Sequence, residues 1–472
     1  MDGSAGGDRK DRHPGASYED ILNRDSRPVP EYLREGRIPE VGTTSVAASR
    51  YYDPAFFQLE ARHLWSRVWQ MACREEDIPT VGDYAVYEIL GKSLIVVRTA
   101  PDEIKALYNS CLHRARKLVT LNGHKDEFRC PYHGIAWHCD GRFKDNPIAW
   151  DFPQWEAQDM SLPEARVDTW GGFVFINFDA NAKPLMDYIE PLARHFAPFD
   201  FANRYRAIWV SKKVRANWKV TAEAFMESHH SITTHPQILG SLSDANSQYD
   251  MPSDWVTRQF SAVGVASPFI APMTEQEVYD HMVGGGRSRR RGTPADEGAA
   301  PPPLPEGATA RSYMAELTRS SLIASTGHDY SHAADAELLD ALLYNVFPHM
   351  SFWAGYASNL IYRWRPDGFD PEVTIMDVMI LQPVPKGEPR PKPAVAHELG
   401  LDEPWSTAEE MGALAAIFEQ DMGNLPYVQE GLHASGTGLV HFAKYSEMRI
   451  RHLHQMIDRY IAEGSALNPA GA

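Results

Sequence analysis

The hydrophobic and polar residues of this chain follow two different periods, and the change from one to the other predicts where strands and helices lie. Strand-type runs occur at residues 85–89, 93–98, 360–365 and 373–382. Apolar residues recur at helical spacing after Pro54 and over residues 448–461, which predicts an early helix and an amphipathic closing helix. The short runs of the first part and the mixed elements of the second predict a small β domain followed by a larger α+β domain.

The predicted elements divide the chain into three parts. Residues 1–45 are polar and interrupted by Gly and Pro, which predicts an N-terminal arm that is mobile or lies as a strap over a neighbouring subunit. Residues 46–167 form the predicted β domain with its flanking helix, and residues 168–472 form the larger domain. Within the larger domain, residues 284–310 are of low complexity and predict a solvated loop rather than an RNA-binding segment.

Two Cys/His pairs stand out in the β domain. Cys111 and His113 are followed, after sixteen intervening residues, by Cys130 and His133. In a Rieske 2Fe–2S cluster two Cys hold one iron and two His hold the other, so the pairs form a matching ligand set. A structural zinc site is the alternative, although zinc modules usually pair cysteines as C-x2-4-C. The other interpretation is that these four residues are core residues that come together by chance.

A second group of metal-binding residue types lies in the larger domain. Glu223, Glu227 and His230 follow each other at spacings of four and three, which predicts one face of a helix. His235 leaves that face, and Pro236 directly after it disfavours helical backbone at His235. The helix can therefore end and turn His235 back toward His230.

Asp421 is the predicted carboxylate partner of these two histidines. Ser406 and Glu409 form a capping box that predicts the start of a helix. The apolar stripe of that helix consists of Met411, Leu414, Phe418 and Asp421. A carboxylate on this stripe, in the last turn of the helix, is costly unless it meets a cation. An ion pair with Lys or Arg is what the helix alone favours, whereas a bound metal would complete the two-His, one-carboxylate triad of non-haem iron(II) oxygenases.

Taken together, these regions resemble a known family. The stretches that carry the resemblance are residues 109–114, 130–137, 140–143, 223–237 and 418–432. The first three are similar to the Rieske domain of ring-hydroxylating oxygenase large (alpha) subunits. The other two are similar to the iron-binding helix and the carboxylate helix of the catalytic domain in that family.

The chain departs from the family pattern at four positions. Ala115 stands where Gly is usual, and Ala224 stands where the family often has Asn. His229 replaces a usual Tyr, so a register shift between His229 and His230 stays open, although the five-residue gap to the next histidine favours His230. Glu227 replaces the common Asp that links the two metal centres.

The resemblance implies an α+β fold and the residues that hold its metals. The fold is a Rieske β domain with a 2Fe–2S cluster plus a helix-grip (START/SRPBCC-like) catalytic domain with an antiparallel sheet. The implied ligands are Cys111, His113, Cys130 and His133 for the cluster and His230, His235 and Asp421 for a mononuclear Fe(II). Glu227 is the implied catalytic residue, connecting the cluster of one subunit to the iron of the next.

The implied function is that of a terminal oxygenase component. Electrons from the cluster would activate O2 at the iron, and an apolar, aromatic substrate would be mono- or dioxygenated, as in aromatic hydrocarbon catabolism. The implied partners are a ferredoxin and/or a flavin reductase that draws on NAD(P)H, in a homotrimer or an α3β3 hexamer. An O- or N-demethylating Rieske monooxygenase is the alternative on the same scaffold. An electron-transfer protein without oxygenase activity and a zinc-stabilised binding protein are alternatives from other classes.

Composition and charge limit the possible partners and cellular location of the chain. The 472 residues suffice for two or three domains with substantial cores, and the formal net charge of -17 argues against a nucleic-acid partner. With two of its four cysteines in the cluster motif, the chain has too few left for a disulfide framework. Without a signal peptide or a long apolar run, it is expected to be cytoplasmic and not membrane-bound.

Overall fold

Two large β-sheets and the helices packed on them form the body of the protein. The computed structural model describes residues 16–286, 302–357 and 359–467. In this part of the chain a seven-stranded sheet and an eight-stranded sheet are accompanied by a three-stranded sheet and a two-stranded ribbon. None of the helices described is both long and apolar enough to cross a membrane.

The strands alternate with short turns in the first part of the chain and with helices in the second. In chain order they are β1 (Val46–Ala47), β2 (Gln70–Arg74), β3 (Asp83–Ile89), β4 (Lys92–Ala100), β5 (Glu103–Tyr108), β6 (Gly123–His124), β7 (Glu127–Arg129), β8 (Ala136–His138), β9 (Phe143–Asp145), β10 (Glu164–Trp170), β11 (Phe173–Asn177), β12 (Arg204–Val214), β13 (Leu242–Asp250), β14 (Val256–Val263), β15 (Ala341–Val346), β16 (Met350–Trp353), β17 (Asn359–Pro366), β18 (Thr374–Pro383), β19 (His397–Leu399) and β20 (Leu439–Val440).

Most of the helices belong to the second part of the chain. In chain order they are α1 (Tyr18–Leu22), α2 (Pro54–Leu59), α3 (Leu185–Phe196), α4 (Trp218–Glu223), α5 (Ser231–Thr234), α6 (Glu275–His281), α7 (Ala310–Thr326), α8 (Asp335–Leu339), α9 (Ala413–Met422), α10 (Leu425–Ala434) and α11 (Met448–Leu467). The predicted early helix is α2, which continues into a π-helical turn at Glu60–Leu64, and the predicted closing helix is α11. Both predictions are confirmed.

The first part of the chain forms an antiparallel β structure. Its larger sheet has the order β2-β11-β10-β5-β4-β3-β6, and the three-stranded sheet has the order β7-β8-β9. Strands β3 and β4 are the runs predicted at residues 85–89 and 93–98. A small core that includes Ile95, Leu107, Phe128 and Trp137 joins the two sheets. This core lies directly beneath the turns that carry the two Cys/His pairs.

The second part of the chain is organised around the eight-stranded sheet, whose order is β13-β14-β15-β16-β17-β18-β12-β19. Its neighbouring strands are antiparallel except for the β12–β19 pair, which is parallel. The strands predicted at residues 360–365 and 373–382 are β17 and β18. The α+β fold with an antiparallel sheet is thus confirmed.

The eight-stranded sheet is covered on both faces. On one face Tyr362 and Trp364 pack against Phe418 of α9, together with residues of α4 and α10. On the other face Tyr344 and Phe352 pack in a core with residues of α1, α3, α8 and β11. Helices α4 and α9 therefore lie on the same side of the sheet, which brings the two iron-site segments of the sequence together.

The described part of the predicted N-terminal arm is ordered. Helix α1 contributes to the core of the eight-stranded sheet, and the Tyr18 hydroxyl donates to Asp340 at 2.9 Å. The Ser26 hydroxyl donates to Asp335 at 2.6 Å. Residues 16–33 therefore pack on the chain's own sheet through buried side chains such as Tyr18, Leu22 and Leu33. The expectation of a strap over a neighbouring subunit stays a prediction. Residues 1–15, and residues 287–301 of the predicted low-complexity loop, lie outside the described residues.

The predicted start of the carboxylate helix is also wrong. Ser406 and Glu409 lie in two 3-10 turns, and α9 begins only at Ala413. Gly412 precedes the helix with φ +53°, a backbone conformation that interrupts any continuous helix from residue 406. Buried Trp405 holds the preceding turns against the core. The predicted stripe is nevertheless buried, including Asp421 at its end.

Arg311 of α7 joins the N-terminal segment to the large sheet. Its guanidinium donates to Asp340 at 2.6 and 3.0 Å and to Asp25 at 2.9 Å, and both carboxylates have no exposed side-chain surface. We expect Arg311→Met to lower the free energy of unfolding by about 3–5 kcal/mol, because two buried carboxylates would lose their cation. Urea unfolding followed by tryptophan fluorescence measures this change.

The matched control is Arg27→Met, which removes a half-exposed partner of Glu316 at 3.6 Å. It should change the free energy of unfolding by less than about 1 kcal/mol. Equal effects of the two substitutions would show that the Arg311 cluster does not hold the N-terminal segment.

Candidate metal centres

The two Cys/His pairs lie on two neighbouring turns of the β structure. One turn follows β5 and the other joins β7 to β8. In the first, the N–H of Ala115 donates to the Cys111 carbonyl at 2.9 Å, and in the second the N–H of Gly134 donates to the Cys130 carbonyl at 2.9 Å. Ala115 has φ +58° and Gly134 has φ +81°, so both turns need a left-handed residue at the same place. An alanine accepts that conformation at a cost of about 1–2 kcal/mol, which explains why Gly is expected there.

The turns present the cysteines inward and the histidines outward. Cys111 and Cys130 are buried, His113 is half-buried and His133 is exposed. The two imidazole rings lie 4.7 Å apart between their centroids. Nδ1 of His113 is buried and has no hydrogen-bond partner in the described part of the chain. Two thiols and two imidazoles around one gap, with an unused buried nitrogen, fit a Rieske cluster.

The second site is built by a broken helix. Helix α4 ends at Glu223, and residues 224–230 form turns before the short helix α5. The prediction that Glu223, Glu227 and His230 share one helical face is therefore wrong. Tertiary contacts account for the break: the Tyr249 hydroxyl accepts the backbone N–H of Ser228 at 3.1 Å, so that N–H does not continue the helical ladder.

Beyond the break, the two histidines converge as predicted. His235 directly follows α5 with a non-helical φ of −126°, and its ring lies 5.2 Å from that of His230 between centroids. His235 Nε2 is 2.9 Å and His230 Nε2 is 3.8 Å from Oδ1 of Asp421. One donor atom from each residue falls within 4.8 Å of the other two. The structure thus brings together the three residues that were predicted as iron ligands.

No lysine or arginine of the described residues forms an ion pair with Asp421. Its carboxylate is buried, and its side-chain contacts in the described residues go to His230 and His235 rather than to Lys or Arg. An unpaired buried carboxylate costs several kcal/mol, so this arrangement fits a bound cation and not the ion pair that the helix alone favours. The donor set of two imidazoles and one carboxylate fits iron(II).

Each imidazole of this site is held by its other ring nitrogen. His230 Nδ1 contacts the Glu227 carboxylate, and His235 Nδ1 lies 2.8 Å from Oε1 of Gln420. With the ring proton on Nδ1, each imidazole would offer its Nε2 lone pair to a metal held together with Asp421, which is the usual orientation of metal-bound histidine. Gln420 was missed in the sequence because its neighbour in space, His235, is far away along the chain.

Glu227 accepts hydrogen bonds from two imidazoles. His229 Nδ1 is 2.8 Å from its Oε2, and His230 donates to it through both its ring and its backbone N–H, the latter at 3.1 Å. Burial raises the pKa of Glu227, but the bonds from His229 and His230 outweigh burial and lower it to about 2. Both imidazoles bond to Glu227, but it is His230 whose Nε2 lies 3.8 Å from Asp421 and that groups with His235 and Asp421.

Arg449 of α11 is a further residue that sequence reasoning missed. It is fully buried, and it donates to Gln259 at 3.0 Å, to Thr257 at 3.2 Å and to the Met226 carbonyl at 3.3 Å. Burial lowers its pKa to about 9. On an amphipathic helix an arginine is expected to face solvent. Arg449 instead connects Thr257 and Gln259 of β14 to the Met226 backbone, just before Glu227.

A β domain with two Cys/His turns, joined to an α+β domain with two histidines and one carboxylate, defines the class of Rieske non-haem iron proteins. Residues 68–156 match the family model described as "Rieske [2Fe-2S] domain". Residues 201–463, more than half of the chain, match "Ring hydroxylating alpha subunit (catalytic domain)". The chain belongs to the ring-hydroxylating alpha-subunit family, and its two domains imply a Rieske 2Fe–2S cluster and a mononuclear iron as cofactors.

Individual proteins agree with this placement. The glycine betaine monooxygenase oxygenase subunit of Pseudomonas aeruginosa (strain UCBPP-PA14) is 28% identical over 242 residues, 51% of this chain and 55% of the relative. The large oxygenase component of the naphthalene 1,2-dioxygenase system of Pseudomonas putida is 32% identical over 197 residues, 40% and 44% of the two chains. The chain thus spans about half the length of these curated relatives.

Solved structures show the same fold at lower identity. A quaternary ammonium Rieske monooxygenase in complex with L-carnitine superposes with a TM-score of 0.61 at 16% sequence identity. The match covers 90% of this chain and 99% of the other. At that level of identity the likeness concerns the fold alone.

The geometry of the two turns generates a first test. We expect Cys111→Ser to lose the visible and electron paramagnetic resonance spectrum of a Rieske centre, because a hydroxyl is a poor replacement for a buried thiolate ligand. Spectroscopy and iron analysis of the purified variant measure the loss.

The control is Cys139→Ser, which removes a thiol of the same domain that lies outside both turns. It should leave the spectrum unchanged. A full Rieske spectrum in Cys111→Ser would mean that the cluster has other ligands.

Proposed function

We propose that the chain is the terminal oxygenase component of a Rieske oxygenase system. Such a component receives electrons at its cluster, uses them to reduce O2 and inserts oxygen into an organic substrate. The observation that carries the proposal is the convergence of His230, His235 and Asp421, each imidazole already held by its second nitrogen. A pure electron carrier would have no use for this second site.

The proposed ligands follow from the two sites. For the cluster they are Cys111, His113, Cys130 and His133, and for the iron they are His230, His235 and Asp421. When bound, the iron supplies an open coordination face at which O2 and substrate can meet. Asp421 contributes the negative charge of the site, while Glu227 and Gln420 keep the imidazoles in orientation.

An aromatic cluster packs between the eight-stranded sheet and α9, next to the iron segment in sequence. Phe225 lies just before the iron segment, and its ring centroid is 5.0 Å from that of Tyr362 and 6.1 Å from that of Phe418. An aromatic wall of this kind favours an apolar substrate, which supports oxygenation of an aromatic ring as the first candidate reaction. It also strengthens the electrostatic contacts inside the site.

A second candidate reaction is O- or N-demethylation. Two observations favour it: similar proteins are named as glycine betaine and carnitine monooxygenases, and part of the neighbouring sheet face is polar. Thr257, Gln259 and Asn345 are all buried on that face around Arg449. A wall with both aromatic and polar parts suits a substrate that presents a methyl group beside a charged or polar group.

The proposed partners are O2 and a reductase or ferredoxin that draws on NAD(P)H. The proposed assembly is a homotrimer or α3β3 hexamer, in which Glu227 meets His133 of the partner subunit. Within the chain, Glu227 already accepts from His229, whose side chain is 49% exposed. A partner histidine would therefore share the Glu227 carboxylate with His229 or displace it.

The proposed iron ligands generate a second test. We expect Asp421→Ala to lose the mononuclear iron and substrate oxidation while keeping the Rieske spectrum, because two neutral imidazoles alone hold iron(II) weakly. Iron analysis and product assays measure both effects. The matched variant Gln420→Ala removes the acceptor for His235 Nδ1, together with the side-chain bonds to exposed Gln237, and should weaken iron binding by about 10- to 100-fold.

If Asp421→Ala kept its full iron content and turned over, the carboxylate ligand would lie elsewhere. Equal iron loss in Asp421→Ala and Gln420→Ala would also contradict the distinction between ligand and orienting residue.

The proposed role of Glu227 generates a third test. We expect Glu227→Gln to keep both metals and the oligomer but to slow oxidation of the reduced cluster. The reason is that a neutral amide replaces the carboxylate that is proposed to link the imidazoles of the two metal centres. Single-turnover stopped-flow with substrate and O2 measures this rate. His229→Gln serves as control, since it keeps the Glu227 carboxylate. An unchanged rate in a fully metallated Glu227→Gln protein would mean that electrons take another path.

A further inference from the structure

A separate group of buried acid–base side chains includes the last residue of α4, just before the iron segment in sequence. It consists of Glu223 at the end of α4, Tyr51 in the 3-10 turn Ala48–Tyr51, and His454 of α11. The Tyr51 hydroxyl is 3.0 and 3.1 Å from the two Glu223 oxygens and 2.9 Å from His454 Nε2. His454 Nε2 is also 2.9 Å from Glu223 Oε1. All three side chains therefore touch one another.

The charges around this group do not neutralise Glu223. Lys219 is the nearest lysine on α4, but its ammonium pairs with Glu60 at 2.7 Å, and neither side chain has exposed surface. Arg50 pairs with Asp458 at 2.8 Å. In the described residues, the ion-pair partner of Glu223 within 4 Å is His454, at 2.9 Å. A negative charge on Glu223 would thus be poorly compensated.

Burial determines which side chains of this group are protonated at neutral pH. Burial raises the pKa of Glu223 to about 8, although the Tyr51 hydrogen bond and the charges of Lys219 and Arg50 lower it. Burial also lowers the pKa of His454 well below its usual range, helped by Arg50 and Lys219. At neutral pH the carboxyl is therefore protonated and the imidazole neutral.

The group adjoins the proposed iron site along the chain. Glu223 is four residues before Glu227, the acceptor of the His230 ring. Glu447, which directly precedes α11, has a pKa raised by burial and, to a smaller degree, by the charges of Glu227 and Glu223. The charges of both carboxylates therefore act on Glu447, a third acidic group of this region.

We propose that Glu223, hydrogen-bonded to Tyr51 and His454, is a proton donor to the iron site during O2 reduction. The proposal rests on the proposed function. Mono- or dioxygenation takes two electrons and two protons per O2, and the reductase supplies only the electrons. One proton would come from Glu223: its O–H bond breaks, a new O–H bond forms on oxygen derived from O2, and the carboxylate left behind accepts from the Tyr51 hydroxyl. Solvent later returns the proton.

The alternative is that the group serves only to hold the Ala48–Tyr51 turn, α4 and α11 together. Infrared spectroscopy separates the two, since it detects a protonated carboxyl whether or not iron is bound. In the wild type we expect a carboxyl band that titrates near pH 8, in both the iron-loaded and the iron-depleted protein. Glu223→Gln should remove this band. Tyr51→Phe should move its titration to higher pH, because the Tyr51 hydrogen bond favours the carboxylate.

Single-turnover kinetics add the functional half of the test. A donor is active while protonated, so product formation in the wild type should fall as the pH rises through about 8. Glu223→Gln should be slower by about 100-fold at neutral pH, the lower part of the usual range for a positioned acid, and should lose this pH dependence. Its iron content and Rieske spectrum should match the wild type, as should those of Glu430→Gln, an exposed control on α10.

The outcomes are distinct. Absence of the band from the wild type, or its persistence in Glu223→Gln, overturns the proposal, as does a wild-type rate and pH profile in fully metallated Glu223→Gln. If the wild type itself does not reduce O2 when supplied with electrons, the proposed function fails. The infrared result on the iron-depleted protein then still decides whether Glu223 holds a proton near neutral pH.

Discussion

The burial of Asp421 is the constraint on which the larger domain depends. The side chains that precede it along α9 pack into the core of the sheet, so its carboxylate is carried out of water with them. A buried anion needs a positive partner, and the two side chains beside it in the described residues are the imidazoles of His230 and His235 rather than ammonium or guanidinium groups. Packing therefore places the Asp421 carboxylate where a bound cation would compensate its charge.

The rest of the fold keeps the two histidines at that point. The broken helix between α4 and α5 would be soft by itself, but its backbone is bonded from two sides, by Tyr249 of β13 and by Arg449 of α11. The imidazoles are then fixed individually, one by Glu227 and the other by Gln420. Each ring is constrained at its second nitrogen, so the geometry of the site does not rely on the metal alone.

The pKa values of two glutamates four residues apart are shifted in opposite directions. Glu227 accepts from two imidazoles, and its pKa is lowered to about 2 in spite of burial. Glu223 lies among neutral partners, and burial raises its pKa to about 8. One carboxyl therefore stays charged and suits a link between metal centres, while the other stays protonated and suits proton donation. The same residue type takes two charge states here because hydrogen bonding and burial shift its pKa in opposite directions.

The sequence by itself determined the features that depend on neighbours along the chain. The Cys/His pairs, the strands, the closing helix and the turn of His235 before Pro236 all follow from local spacing and backbone restriction, and the structure contains them. Only the tertiary structure decided the features that depend on residues far apart in sequence. These are the break after Glu223, the late start of α9 at Ala413, and the positions of Gln420, Arg449 and the Tyr51 cluster. No local pattern encodes them, because a backbone group or a buried side chain takes whichever partner packing brings within hydrogen-bond distance.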